Sequence, residues 1–276
     1  MSEKVLRIQM FGGFAMYYGG NPVTLNKAGS SKSVRLLQML LLSLHSGIAK
    51  NELIDSLYGW NEKGDAANRN KNLNNLIYRL KGQLVSCGLP EDEYVEIEEG
   101  TCFFRSRIPL ELDTQRFEET VKLARNSGGV KRIELLGRAN EMYCGELLPG
   151  SLSDMWFFHK SRYYKELYMG TVQELELEFQ KNKDYKKRIL LYSRAAAIYP
   201  FENWQVRLIQ CNLEMYRYEE AIEIYNDTME LYAREMGSPP TEEMQKCFEG
   251  IELMDENHRR NTGDGNRWKD MDKVFL

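Results

Sequence analysis

The chain has 276 residues, about two domains at the roughly 150 residues of a typical one, and its 42% hydrophobic and 28% charged residues exclude a disordered or fibrous protein. The net charge of −4 conceals an asymmetry, because residues 1–84 carry 11 Lys+Arg against 5 Asp+Glu while residues 85–276 carry 26 against 36. A basic front and an acidic back direct attention to nucleic acid.

The densest apolar stretch, Leu36 to Leu44, is broken by Gln38 and Ser43 and falls far short of the roughly 20 residues that cross a bilayer. No secretory pattern follows Lys4 and Arg7, so a cytoplasmic protein without membrane partners is expected. Five scattered cysteines (Cys87, Cys102, Cys144, Cys211, Cys247) contain no C-x-x-C and read as reduced structural thiols. The three histidines lie far apart in sequence, and no phosphate-loop, dinucleotide or zinc-protease motif occurs. Neither an enzyme nor a cofactor nor a metal site is expected.

In chain order, residues 4–25 predict short strands punctuated by glycine: Val5 to Phe11, Phe14 to Tyr18, and Val23 to Leu25 after the Gly19-Gly20-Asn21-Pro22 turn, a β-meander. Ser30-Ser31 offer an N-cap for a helix over 32–46 that Gly47 ends. Asn51-Glu52 open a second helix ending near Gly59-Trp60, and a third spans 66–85. Tyr94, Val95 and Ile97 alternate with acidic residues, Gly100 turns the chain, and Cys102-Phe103-Phe104 return as a hairpin.

The third helix is the most informative element. At 100° per residue, Leu73, Leu76, Ile77, Leu80 and Leu84 form one buried stripe. The opposite face holds Asn68, Lys71, Asn72, Asn75, Tyr78 and Arg79, with Asn74 and Lys81 on its flanks. Asparagine is a mediocre helix former because its amide competes for backbone hydrogen bonds, yet five fall between 68 and 75. Amide side chains pair bidentately with adenine, Arg with guanine, and Lys and Arg with phosphate, so this face suits DNA. The competing reading is a solvated, Asn-rich polar face.

A tight helix pair, a longer helix with an amide-rich basic face and a β-hairpin follow one another in the order of a winged helix-turn-helix. Residues 5–105 resemble the OmpR-type DNA-binding domain of SARP-type bacterial regulators. The matching stretches are Val5-Leu-Arg-Ile-Gln-Met-Phe-Gly-Gly-Phe14, Val34-Arg-Leu-Leu-Gln-Met-Leu-Leu-Leu42, Glu52-Leu-Ile-Asp-Ser-Leu-Tyr58 and Leu73-Asn-Asn-Leu-Ile-Tyr-Arg-Leu-Lys81. The resemblance makes the last of these the recognition helix. Two features depart from the family: Gly82 stands where a basic residue is usual, and Glu91, Asp92, Glu93, Glu96, Glu98 and Glu99 make the wing acidic, with Arg105 and Arg107 as compensating charges.

From Leu112 onward the pattern is helical, with Asp113 as N-cap of a segment through Ala124 and glycines 128–129 as a break. Long helices are expected at 155–181, 184–198, 202–216, 218–235 and 241–253. Tyr185, Ile189 and Tyr192 align with Tyr218, Ile222 and Tyr225 at a spacing of 33, close to the roughly 34 of a tetratricopeptide repeat. Tyr143-x-Gly145-x-Leu147-Leu148-Pro149, Trp156, Arg162, Asp184-Tyr185, Tyr199-Pro200-Phe201-Glu202, Ala221-Ile222 and Gly237-Ser-Pro-Pro240 resemble the bacterial transcriptional activator domain of the same regulators.

The expected fold is an α+β N-terminal winged helix-turn-helix with an N-terminal β-meander, followed by an all-α TPR-like repeat domain. The expected division is 1–108, 109–254 and a polar tail at 255–276, which the apolar end Val274-Phe-Leu276 reads as either a frayed end or a link to a further domain. The expected function is sequence-specific binding of double-stranded DNA through Asn68, Lys71, Asn72, Asn74, Asn75, Tyr78, Arg79, Lys81 and Arg105. The resemblance implies an activator that pairs head to tail as a homodimer on direct repeats and touches RNA polymerase. The alternative is a peptide-binding repeat scaffold whose winged helix does not read DNA, and a ligand-sensing repeat domain is a third reading.

Overall fold

The computed structural model describes residues 4–25, 32–59, 66–151, 154–237, 241–247 and 250–251. The Ser30-Ser31 cap, Trp60, Pro239-Pro240, the end of the last expected helix and the 255–276 tail lie outside them. The chain divides into two compact units, Met1–Thr171 and Val172–Leu276, each taken in turn.

The first unit opens with the meander β1 (Leu6–Gln9), β2 (Ala15–Tyr18) and β3 (Asn21–Pro22). Gly19 and Gly20, at φ 56° and 89°, make the two-residue turn that pairs Tyr18 with Asn21. The third strand therefore lies earlier than the expected Val23 to Leu25, although Val23 still donates to the Met16 carbonyl at 2.9 Å. A fourth strand, β7 (Leu110–Leu112), pairs in parallel with β1 and gives the sheet order β3-β2-β1-β7. Nothing in the local pattern marks these residues as a strand.

Helix α1 (Lys32–Leu41) ends five residues before the expected 46. The chain tightens there, with Ser43 donating to Leu40, and reverses at Gly47, whose φ is 65°. Glycine is required at 47 for packing as well, because a Cβ would sit 2.6 Å from Phe103 and Thr101. After β4 (Ile48–Ala49) come α2 (Lys50–Tyr58), α3 (Ala66–Ser86) and the hairpin β5 (Val95–Glu98) and β6 (Thr101–Phe104). Glu99 and Gly100, both at positive φ, close the hairpin, and β4 joins it in the order β4-β6-β5.

Helices α4 (Asp113–Arg125), α5 (Gly129–Met142) and the first part of α6 (Met155–Lys181) complete the unit. Phe11, fully buried between the first two strands of the meander, is their meeting point. Its ring lies 5.4 Å from Phe117, 4.6 Å from Tyr143 and 5.4 Å from Tyr164, and Tyr143 stacks on Tyr168 at 4.3 Å. The backbone of this loop is held as firmly: Gly12 donates to Glu146, Leu148 donates to Met10, and a Cβ on Gly145 would come within 2.9 Å of the Gly12 Cα. The expected N-cap role of Asp113 needs correction. Leu112 precedes the helix, and Asp113 is its first residue. One Asp113 carboxylate oxygen accepts the N–H groups of Met10 and Phe11 at 2.8 and 2.9 Å, so it ties the helix to the meander loop. Burial pushes this carboxyl above its ordinary range, although those N–H groups pull the other way.

The second unit contains the rest of α6, then α7 (Tyr185–Ile198), α8 (Trp204–Glu214) and α9 (Tyr218–Glu235), with α7 packed on α8 and α8 on α9. The 33-residue spacing extends to burial. Arg188, Tyr192, Ala195 and Tyr199 are buried, as are Ala221, Tyr225, Thr228 and Tyr232 one repeat later. It extends to the backbone too, since Lys183 and Tyr216, also 33 apart, both adopt positive φ in the turn before their helices. Two buried polar side chains reach carboxylates: Arg188 donates to Glu214 at 2.9 Å and Tyr192 to Glu176 at 2.7 Å. Asp184 caps α7 by accepting from the Lys187 N–H, one of the four donors a helix start leaves open. Among the described residues no helix is long and apolar enough to cross a membrane, and no group of acidic, His and Cys side chains is placed to hold a metal ion. Cys102 and Cys211 are buried thiols pushed upward by desolvation, which suits an inert structural role.

Candidate nucleic-acid interface

Helix α3 is seated by the stripe read from sequence. Leu73, Leu76, Ile77, Leu80 and Leu84 are all at most 6% exposed and pack against α1 and α2. Arg35 of α1 fixes the helix pair beneath, donating to the Ser56 carbonyl and to its hydroxyl at 3.2 Å and pairing with Asp154 ahead of α6. The Trp156 indole N–H donates to Glu52 of α2 at 2.8 Å. The platform under α3 is thus built partly from residues about 100 positions further along the chain.

The opposite side of α3 carries the side chains named from sequence. Asn68, Lys71, Asn72, Asn74, Asn75, Tyr78 and Arg79 are all exposed, and Lys81 is half-buried. Tyr78 is 81% exposed, which rules out a core role for a large aromatic ring. Among the described residues no hydrogen bond or ion pair engages the side chains of Lys71, Asn72, Asn75 or Arg79, so their donors and acceptors face outward. Gly82 shares this face, and a Cβ there would meet nothing. The arrangement offers amides, two cations and an aromatic edge along one helix, the chemical set that reads base edges in a major groove.

The hairpin presents a different surface. Its base is the buried Tyr94, whose hydroxyl donates to the Pro90 carbonyl at 2.6 Å; burial, with Asp92 nearby, pushes this phenol up to about 12. Arg105 lies 3.9 Å from Glu96 and 3.8 Å from Glu98, with its guanidinium 4.6 Å from the Phe103 ring. Arg107 pairs with Asp92 at 3.7 Å, and Lys81 of α3 reaches across to Glu93. Two residues placed in the DNA-facing set, Lys81 and Arg105, therefore face carboxylates of their own chain. A groove of about 650 Å³ between α3 and the hairpin is lined by Asn74, Ile77, Tyr78 and Lys81 on one wall and by Glu93, Glu96, Ile97 and Glu98 on the other. Lys50, at the start of α2, also lines it. Sequence reading passes over Lys50 because its neighbours carry no periodic signal; only the hairpin's fold brings it beside α3.

A helix pair, an exposed third helix and a three-stranded wing define a winged helix-turn-helix, here joined to stacked helices. Residues 112–252, half of the chain, match the family model described as bacterial transcriptional activator domain. The chain belongs to this family. The structure of Mycobacterium tuberculosis EmbR in complex with a low-affinity phosphopeptide shares the fold, with a TM-score of 0.59 at 17% identity over 91% of this chain. The chain spans 66% of the length of that one. No curated protein sequence matches it significantly.

Proposed function

We propose that this regulator binds double-stranded DNA sequence-specifically, with α3 in the major groove and Asn68, Lys71, Asn72, Asn74, Asn75, Tyr78 and Arg79 directed at bases and phosphates. The observation that carries the reading is the outward, amide-rich face of α3 on a winged-helix platform. Lys81 and Arg105 are placed at its wing side. Activation, head-to-tail pairing on direct repeats, contact with RNA polymerase through the helical repeats, and a cytoplasmic location belong to the same proposal, which the family match supports. So does a division into a DNA-binding part at 1–108, an activator part at 109–254 and a polar tail.

Genomic footprinting with the purified chain would define an operator. On that duplex, Asn75→Ala with Arg79→Ala should weaken binding by about fivefold to 150-fold per lost contact, since a good bidentate base contact contributes about 1–3 kcal/mol. Because both side chains are exposed, the melting temperature should stay within the small shifts of surface substitutions. Unchanged affinity would overturn the assignment of α3. The self-paired wing favours one competing reading, a repeat scaffold that binds peptide. Salt separates the two: phosphate contacts make log affinity fall linearly with log salt, with a slope near −0.9 per phosphate.

A further inference from the structure

We propose that the wing carboxylates Glu96 and Glu98, with Glu93, are specificity determinants: they hold Arg105 and Lys81 away from phosphate and suppress sequence-independent binding to DNA. The proposal rests on the reading of α3 as the base-reading helix and adds to it a reason for an acidic wing.

The geometry is specific. Glu96 and Glu98 are two apart on β5, so their side chains share one face of the strand. Arg105 follows β6, its N–H bonded to the Tyr94 carbonyl at 2.9 Å, which delivers its guanidinium to both carboxylates at 3.9 and 3.8 Å. Phe103 supports the guanidinium from the side at 4.6 Å. At the other end of the groove Lys81 is paired with Glu93. The side chains of Glu93, Glu96, Glu98 and Arg105 are each 43% exposed or more, and ion pairs so exposed contribute little to stability. Their consequence is electrostatic. They remove two cations from the phosphate-facing inventory and place three carboxylates in the groove beside α3. Those carboxylates would lie well within the roughly 8 Å screening length of any strand running there. Non-specific affinity is almost wholly phosphate attraction, whereas base contacts survive its loss. A complex held by phosphate alone settles in whichever register gathers the most phosphate contacts, whereas base contacts fix the register of an operator complex, so an acidic wing lowers binding to random sequence more than binding to an operator.

The test uses the full chain, with Glu96→Gln and Glu98→Gln combined, on the footprinted duplex and on a random duplex of equal length across a salt series. The variant should bind random DNA several-fold more tightly, its salt slope should steepen by about 0.9 for one recovered phosphate contact, and its preference for the footprinted duplex should fall. Adding Arg105→Gln should return the slope to the wild-type value, which separates a released arginine from the removal of negative charge alone. An unchanged slope and preference in the Gln variant, with wild type still preferring its operator, would overturn the wing proposal and leave α3 standing. A wild type with no preference at all would overturn both.

Discussion

Helix α3 and the β5–β6 wing are both polar, both exposed and adjacent, yet they use their charges in opposite ways. On α3, Lys71 and Arg79 stand among amides that compensate neither of them, so their charge is directed outward. On the wing, each arginine has a carboxylate of the same hairpin region within 4 Å, Arg105 with Glu96 and Glu98, Arg107 with Asp92. Counting basic residues treats the two regions alike. Pairing distinguishes them, because a cation already matched by its neighbour has less to gain from a phosphate.

The largest expected effect tests whether the two regions stand on one platform. Phe11→Ala removes the ring at the centre of the Phe117, Tyr143 and Tyr164 cluster and should cost about 3–5 kcal/mol in urea unfolding. Hydrogen exchange should show α3 and the wing losing protection together, since both lie in the same compact unit. If the amides of Leu80 and Cys102 kept wild-type protection, the platform would be divisible, and helix and wing would contrast as parts that fold apart from the meander core.

A smaller effect addresses the wing alone. The Tyr94 phenol is raised from an ordinary 10.0 to about 12 in the fold, so its contribution is intact below pH 10 and is lost as pH rises toward 12. Tyr94→Phe loses the hydrogen bond to Pro90 and should be less stable at neutral pH by about 1 kcal/mol. Between pH 10 and about 12 the gap should close and then reverse, because only the wild type has the phenol to ionise, at up to roughly 1.4 kcal/mol per pH unit. A gap constant across that window would show that the phenol is not held in its protonated form by the wing base.

The smallest effect sharpens the α3 side. Gly82 is helical, exposed and clear of neighbours, so Gly82→Ala should stabilise the chain by about 0.5–1 kcal/mol in thermal unfolding. Gly82→Arg, on the same open face, should in addition steepen the salt slope of DNA binding by about 0.9. A stabilised Gly82→Arg protein with the wild-type slope would place the phosphate strand away from this end of α3.

Much of this is legible in the sequence because it depends on local periodicity. The expected 66–85 helix is Ala66–Ser86, and the 218–235 helix has those bounds. The α3 face needs only a 100° step and a buried stripe to be read. The repeat needs only its spacing of 33, which recurs in buried side chains and in the positive φ of Lys183 and Tyr216. The elements that local pattern misplaces are those decided by partners. Helix α1 stops at Leu41 because the chain must turn toward a glycine packed on Phe103, and Leu110–Leu112 is a strand because β1 offers it a parallel edge.

The sequence by itself determined which residues face outward on α3, since a helix with one apolar stripe has one remaining side. It also determined the charge asymmetry and the repeat. Tertiary structure alone decided which of those charges remain available, because Lys81 and Arg105 meet their carboxylates only after the hairpin folds back beside the helix. It decided the role of Asp113 for the same reason: its oxygen accepts from Met10 and Phe11, about 100 residues earlier, and no local pattern records a contact that chain reversal creates.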